Sequence, residues 1–284
     1  MGGGSWTTSS YVTHSTTSRG FASMDDFNNA TTQELYRSKK LDKMLDPKGV
    51  IRECCDSEEH PNTKPVILGL DVTGSMGSAA EAVAKQLNDI MTSAYEKVED
   101  VEFMTMAIGD LSYDIAPLQV SQFESDIRIA EQLEKVYFEG HGGGNNWESY
   151  TQAWYFGNYC TELECYNNRN QKGLIITIGD EPMNPYLPAG PLGDVLGCKI
   201  QGDIETKDLY QEASKKFNIW HIAFDDPATS YSYYEDHMDG WKNLLGDHFV
   251  VATAQTLAQI IADIIDKSFN GSNTITVNEN GIGW

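Results

Sequence analysis

One continuous apolar run, Val66–Leu70, constrains the fold of this chain more than any other segment. The run is bounded by Pro65 on one side and by Asp71 on the other. Apolar residues without polar alternation over this length are typical of a parallel strand that is buried on both faces. We therefore predict a central strand that ends at Asp71.

Strands and helices alternate from residue 63 onward. The predicted strands are 66–70, 101–108, 116–120, 173–178, 219–224 and 248–251, and the predicted helices are 76–97, 125–136, 147–160, 203–216 and 254–267. This alternation is typical of an α/β protein with a doubly wound, mostly parallel central sheet. Because crossovers between parallel strands are right-handed, we expect helices on both faces of that sheet.

Acidic residues follow four of the predicted strands. They are Asp71, Asp110, Asp180 with Glu181, and Asp225 with Asp226. Since the carboxyl ends of parallel strands lie along one edge of a sheet, the pattern predicts an acidic edge. An aspartate after a strand is also common in turns and helix caps, and this alternative stays open for Asp110, Asp225 and Asp226.

The segment that follows the first strand carries three oxygen-bearing side chains. Asp71 supplies a carboxylate, Thr73 and Ser75 supply hydroxyls, and a helix-compatible stretch begins at Met76. Hard divalent cations favour oxygen ligands, and open α/β sheets bind ligands at the carboxyl ends of their strands. The segment therefore predicts a cation site.

Charge and cysteine usage restrict the partners. The 284 residues include 42 acidic and 20 basic side chains, a net charge of −22. The negative electrostatic potential of such a charge repels phosphate backbones and anionic membranes, so we expect neither nucleic acid nor membrane as a partner. The five cysteines are odd in number and match no zinc spacing, which favours reduced thiols in a cytoplasm.

The amino-terminal region differs in composition from the rest. Residues 1–62 are rich in Ser, Thr, Gly and Asn and show little apolar periodicity. We predict a flexible polar arm with one short helix near 32–45, and ordering on a partner or on a second subunit is the alternative. The predicted domain covers residues 63–270, and residues 271–284 form a tail.

Three segments resemble the motifs of von Willebrand factor type A (vWA) domains. The first is Asp71-Val72-Thr73-Gly74-Ser75, which is similar to the Asp-x-Ser/Thr-x-Ser loop of the metal-ion-dependent adhesion site, or MIDAS. The second is the segment LIITIGDEP, residues 174–182, which resembles the family's fourth strand and its terminal aspartate. The third is GHGGGNNWESY, residues 140–150, which resembles its Gly-rich loop.

The resemblance implies a Rossmann-like vWA fold and a non-enzymatic protein-binding module, of bacterial or phage type. The implied metal is Mg²⁺, with Mn²⁺ or Ca²⁺ as alternatives, held by Asp71, Thr73, Ser75, Asn145 and Asp180. The Gly-rich loop lacks the family's usual Thr; Asn145 aligns with it, and Glu148 is the alternative. The resemblance also implies a partner that offers Asp or Glu to the metal, such as an AAA-class ATPase, in the cytoplasm of a bacterial or phage-infected cell.

Two other functions remain as alternatives. Asp71 with Thr73-Gly74 also resembles the nucleophile loop of haloacid-dehalogenase-like phosphatases, although Thr73 occupies the place of their second aspartate. The Gly- and Ser-rich arm also suits a structural or assembly protein of a phage or multimeric complex. A serine hydrolase is disfavoured because the Gly-x-Ser-x-Gly pattern is incomplete around Ser75 and because His221 lies within a predicted strand, as a core residue.

Two loops next to the predicted site are rich in proline or tyrosine. Residues 181–193 contain four prolines and Tyr186, and residues 226–234 contain Tyr231, Tyr233 and Tyr234. Stiff loops with aromatic side chains are typical of recognition surfaces. We expect a partner to contact them, and packing of these side chains onto the domain is the alternative.

Overall fold

The computed structural model describes residues 4–140, 147–225, 238–272 and 275. The strands in chain order are β1 Arg52–Cys54, β2 Lys64–Asp71, β3 Val101–Ile108, β4 Leu118–Val120, β5 Thr161–Leu163, β6 Gly173–Gly179, β7 Tyr186–Leu187, β8 Ile204–Glu205, β9 Phe217–Phe224 and β10 Phe249–Ala252. The α-helices are α1 Thr8–Thr13, α2 Met24–Asn28, α3 Thr32–Leu35, α4 Gly77–Lys85, α5 Leu87–Lys97, α6 Arg128–Leu133, α7 Gln152–Tyr159, α8 Glu164–Arg169, α9 Ala189–Leu196, α10 Thr206–Lys216, α11 Asp239–Leu245 and α12 Leu257–Asn270. A π-helical turn at His14–Ser18 and 3₁₀ turns at Gly74–Met76 and Gly246–His248 complete the described helical segments.

The predicted fold class is confirmed. Six strands form a central sheet in the order β10-β9-β6-β2-β3-β4. All neighbouring strands are parallel except β3 and β4. Helices cover both faces of the sheet: α4, α5 and α12 contribute to one apolar cluster, and α7, α10 and α11 contribute to the other.

Strand β2 lies in the middle of the sheet, as its apolar run predicts. Every residue of β2 after Lys64 is buried. Gly69 allows α7 and the neighbouring side chains to approach β2 closely on one face, because a Cβ atom at this position would lie 2.7 Å from Cδ1 of Ile108 and 3.6 Å from Cβ of Ala153. This close approach brings α7 next to the strand that delivers Asp71.

Several predicted elements have different bounds in the structure. The predicted helix 76–97 is divided at Gln86 into α4 and α5, and the predicted helix 147–160 begins only at Gln152. The strand 101–108 has the predicted bounds, and the remaining predicted strands and helices differ from the structure by one to three residues at one or both ends. The two small sheets, β1 with β5 and β7 with β8, had no signal because strands of two or three residues carry too little pattern.

The amino-terminal segment differs from our prediction of a flexible arm. Its apolar side chains are buried in the same cluster as α4 and α5: Tyr11, Phe27, Leu35, Tyr36 and Leu45. The hydroxyls of Tyr11 and Tyr36 donate to the carbonyl oxygens of Ala84 and Ala80, at 2.9 and 2.8 Å. Single apolar residues among polar ones produce no periodicity, yet these five belong to the apolar cluster that α4 and α5 help to form, so the described part of the amino-terminal segment lies against the domain.

No helix within the described ranges has the length and hydropathy of a membrane span.

Candidate metal centre

The ends of β2 and β6 meet at one edge of the sheet, next to each other. Asp71 is the last residue of β2 and is fully buried, and Asp180 directly follows β6. Leu70 and Ile178 are paired between these strands. The structure therefore brings together the two aspartates that the resemblance assigns to a metal.

Asp71 holds Thr73 in a tight turn. Its Oδ1 atom accepts hydrogen bonds from the backbone N–H of Thr73 at 2.9 Å and from the Thr73 hydroxyl at 2.6 Å. Both side chains are buried. Since the hydroxyl proton is directed to the carboxylate, the lone pairs of Thr73 Oγ1 remain for another partner.

Ser75 is arranged in a similar way with the second aspartate. The Ser75 hydroxyl donates to Oδ1 of Asp180 at 3.1 Å and joins the loop after β2 to the turn after β6. Unlike Thr73, Ser75 is exposed. The hydroxyl pair thus extends from a buried residue to the surface, as a site open to a partner requires.

Two further carboxyl groups are buried beside these residues. Glu148 is 5% exposed and pairs through its backbone with Met183, and Asp110 is 1% exposed. One oxygen of each, Oε2 of Glu148 and Oδ2 of Asp110, has no hydrogen-bond partner among the residues that the structure describes. A buried oxygen without a partner is costly, so both atoms mark positions where a cation or water would be stabilised.

The electrostatics of the site indicate a deficit of positive charge. Burial, with Asp180 as the next cause, raises the pKa of Asp71 to about 7, although hydrogen bonds from Thr73 and Tyr150 oppose the shift. Burial and nearby carboxylates raise the pKa of Glu148 to about 10 and that of Glu181 to about 7. Burial also raises the pKa of Asp180, while its hydrogen bond from Ser75 opposes this shift.

Within the described ranges, no lysine or arginine is among the causes of these four shifts. A bound cation would relieve the repulsion and favour the ionised carboxylates.

Tyr150 belongs to this site and was missed by the sequence analysis. Its hydroxyl donates to Oδ2 of Asp71 at 2.6 Å and accepts a hydrogen bond from the backbone N–H of Glu181 at 3.2 Å. Tyr150 is the last residue of the Gly-rich segment 140–150, but only the folded chain brings its hydroxyl to Asp71. Nothing in the one-dimensional pattern distinguishes it from the other tyrosines.

Several predicted site residues lie outside the described ranges. These are Asn145, Asp226, Tyr231, Tyr233 and Tyr234. Of the predicted recognition surface, Tyr186 is described and is 41% exposed, and Trp147 in the Gly-rich segment is 37% exposed. His221 lies in β9, is fully buried, and has its pKa lowered by burial to about 3, so it is a neutral core residue.

The donor set at this edge fits a hard divalent cation. It consists of oxygen atoms only: the hydroxyls of Thr73 and Ser75 and the carboxylates of Asp71 and Asp180. Among the described residues, no three His, Cys, Asp or Glu side chains form a group that could hold a metal by themselves. Two carboxylates with two hydroxyls suit Mg²⁺, which keeps several waters in its octahedral shell, better than they suit a cation that needs an all-protein cage.

Comparison with known proteins gives matches only at the level of structure. No family model and no curated protein matches this sequence. Among solved structures, the chain is similar to the pilus adhesin SpaC from Lactobacillus rhamnosus GG in its open conformation, at 14% identity and a TM-score of 0.49, with 78% of this chain and 31% of the adhesin covered. The chain thus spans about a third of the length of that adhesin.

Two other similar structures are single domains. One is the vWF domain of the type V pili tip protein Mfa5 from Porphyromonas gingivalis, at 12% identity and a TM-score of 0.47, covering 76% of this chain and 98% of that domain. The other is the SpRpn10 VWA domain, at 12% identity and a TM-score of 0.41, covering 75% of this chain and all of that domain. Structures described as vWA domains are thus among those similar to this chain, and at these scores they identify neither an activity nor a partner for it.

Proposed function

We propose that this protein is a Mg²⁺-dependent protein-binding module of the vWA type. In this proposal the hydroxyls of Thr73 and Ser75 are direct ligands, and Asp71 and Asp180 act partly through water. The segment 141–148 contributes a further ligand, either Asn145 or Glu148. A carboxylate of the partner, from Asp or Glu, completes the coordination shell.

The observation that carries the proposal is the pairing of each hydroxyl with a carboxylate at one sheet edge. Thr73 donates to Asp71, and Ser75 donates to Asp180. In this arrangement the carboxylates orient the hydroxyls and supply negative charge, while the hydroxyl oxygens remain neutral ligands. Neutral ligands leave a bound Mg²⁺ electrophilic, and this favours an additional carboxylate from another protein.

The geometry around Asp71 also supports a binding role over a phosphatase. Both oxygens of Asp71 accept hydrogen bonds, and the residue has no exposed surface. A nucleophilic carboxylate needs an oxygen that can approach a phosphorus atom in line. Turnover of a generic phosphatase substrate by the wild-type protein, lost in Asp71→Asn, would reverse this preference.

The partner is proposed from the resemblance and from the surface next to the site. An AAA-class ATPase in a bacterial or phage-infected cytoplasm is the partner that the family resemblance implies. Trp147, which precedes Glu148, and Tyr186, in the proline-rich segment after Asp180, have exposed aromatic side chains that offer apolar contact area. A role as an assembly protein of a larger complex is compatible with this mode of binding.

Calorimetry tests the metal site. Mg²⁺ or Mn²⁺ should bind the wild-type protein with a stoichiometry of about one, and Asp71→Ala should abolish binding. Asp194→Ala is the matched control, because Asp194 is an exposed acid on α9. Unchanged binding in Asp71→Ala would reject the site.

Partner capture tests the binding role. Proteins retained by the immobilised wild-type chain in Mg²⁺ should be released by a chelator, and mass spectrometry would identify them. Capture that is indifferent to the chelator and to Asp71→Ala would place the interface elsewhere on the molecule.

A further inference from the structure

Tyr150 connects the two halves of the candidate metal centre through one hydroxyl. The side chain is fully buried just before α7. Its hydroxyl donates to Oδ2 of Asp71 at 2.6 Å and accepts from the backbone N–H of Glu181 at 3.2 Å. The end of β2 and the turn after β6 are thus joined by this single group.

The contact completes the hydrogen bonding of Asp71. Oδ1 is occupied by the backbone and the hydroxyl of Thr73, whereas Oδ2 accepts from Tyr150. With both oxygens held, the carboxylate plane has one orientation. That orientation in turn directs the Thr73 hydroxyl, so Tyr150 controls a proposed ligand that it does not touch.

The ring of Tyr150 is held from several sides. It packs edge-on against His221 and Trp241, with ring centroids 5.3 and 5.7 Å apart. On the side of β6, a Cβ atom at Gly179 would lie 2.2 Å from the Tyr150 hydroxyl. Trp241 also donates from Nε1 to the carbonyl oxygen of Glu181 at 3.2 Å. The hydroxyl therefore has little freedom to leave Asp71.

We propose that Tyr150 is a positioning residue of the metal centre, which fixes the Asp71 carboxylate and ties it to the Asp180–Glu181 turn. This inference rests on the proposed function, because it assumes that a divalent cation binds at Thr73 and Ser75. It adds a residue that is not among the ligands implied by the resemblance, and this residue acts through Asp71 and not by contact with the metal.

The test is Mn²⁺ calorimetry on Tyr150→Phe, which removes the hydroxyl and keeps the ring. The affinity for Mn²⁺ should fall on the order of ten- to a hundredfold, the usual effect of removing a group that orients a metal ligand. The matched control is Trp154→Phe. Trp154 is fully buried in the same aromatic cluster, 6.0 Å from the ring of Trp241, and its Nε1 has no hydrogen-bond partner in the described part of the chain.

The control separates positioning from packing. Trp154→Phe removes core volume and lowers the free energy of unfolding, but it leaves Asp71 and its partners in place. Well below the melting temperature, a two-state protein binds metal with an affinity that does not depend on its global stability. Trp154→Phe should therefore bind Mn²⁺ like the wild-type protein.

Gly179→Ala is a second variant that keeps the tyrosine and displaces its hydroxyl. It should also weaken Mn²⁺ binding, and it provides the test if Tyr150→Phe does not fold. Absence of Mn²⁺ binding to the wild-type protein would overturn the proposed function and this inference with it. Wild-type affinity in both Tyr150→Phe and Gly179→Ala would overturn the inference alone, as would an equal loss of affinity in Trp154→Phe.

Discussion

Replacement of Glu148 by Gln should stabilise the metal-free protein at neutral pH. The pKa of Glu148 is raised from its ordinary value of 4.5 to about 10, by burial first and then by Asp71 and the neighbouring acids. At pH 7 the folded state therefore keeps a proton that the unfolded state has lost. Stability falls as the pH rises above the unfolded value, and the loss continues up to the folded pKa.

The magnitude follows from the distance between pH 7 and the unfolded pKa. That distance is about 2.5 pH units, and each unit corresponds to about 1.4 kcal/mol. Glutamine carries no titrating proton, so Glu148→Gln should gain up to about 3.5 kcal/mol of unfolding free energy at pH 7. The gain should disappear near pH 4, where glutamate is protonated in both states.

Urea denaturation in a chelator at pH 7 and at pH 4 measures this difference. The control is Glu139→Gln. Glu139 accepts hydrogen bonds from the backbone of Ile115 and Ala116, so this substitution should lower the free energy of unfolding. If Glu148→Gln is destabilising at pH 7, or equally stabilising at both pH values, then the reasoning about a buried, protonated Glu148 is refuted.

Three further variants have defined expectations. Leu35→Ala should lower the unfolding free energy by about 2–5 kcal/mol, because Leu35 is fully buried against the domain. In the same denaturation assay, Met44→Ala should change the unfolding free energy little, because the Met44 side chain is 52% exposed. Burial lowers the pKa of His221 to about 3, so between pH 6.5 and pH 4 the folded state binds fewer protons than the unfolded state and the unfolding free energy falls. In His221→Phe, the unfolding free energy measured by urea denaturation should fall less over this pH range. Ser75→Ala should weaken Mn²⁺ binding in calorimetry without lowering the melting temperature, because the Ser75 side chain is exposed and its bond to Asp180 is a surface contact.

The sheet and its order of elements could be predicted from the sequence because its strands carry uninterrupted apolar runs. Val66–Leu70 and Gly173–Ile178 are both buried on two faces, so each appears in the sequence as a continuous apolar run that is typical of a central parallel strand. The acids at the ends of these runs follow from the parallel direction of the strands. The sequence pattern therefore places Asp71 and Asp180 at the same edge of the sheet, and their proximity is what the vWA resemblance implies.

The amino-terminal segment could not be predicted, since its contacts are tertiary. Tyr11 and Tyr36 each bury one aromatic ring and satisfy a carbonyl oxygen of α4. Isolated aromatic residues in a Ser- and Thr-rich sequence look the same whether they are buried or solvated. Only the surface of α4 and α5, formed elsewhere in the chain, decides between these states.

The role of Tyr150 could not be predicted from the sequence for a related reason. Its role depends on the space that Gly179 leaves and on the rings of His221 and Trp241, which come from three different parts of the chain. The metal ligands of a motif recur at fixed spacing along the sequence. A residue that orients a ligand from another element has no such spacing.

Anomalous scattering from manganese in crystals of the Mn²⁺-soaked protein would locate the metal. We predict one strong anomalous peak at the carboxyl edge of the sheet, about 2.1–2.2 Å from Oγ1 of Thr73 and Oγ of Ser75, near the usual distance for such oxygen ligands. A peak at another group of acids, or ordered protein with no peak at this edge, would contradict a metal site at Thr73 and Ser75.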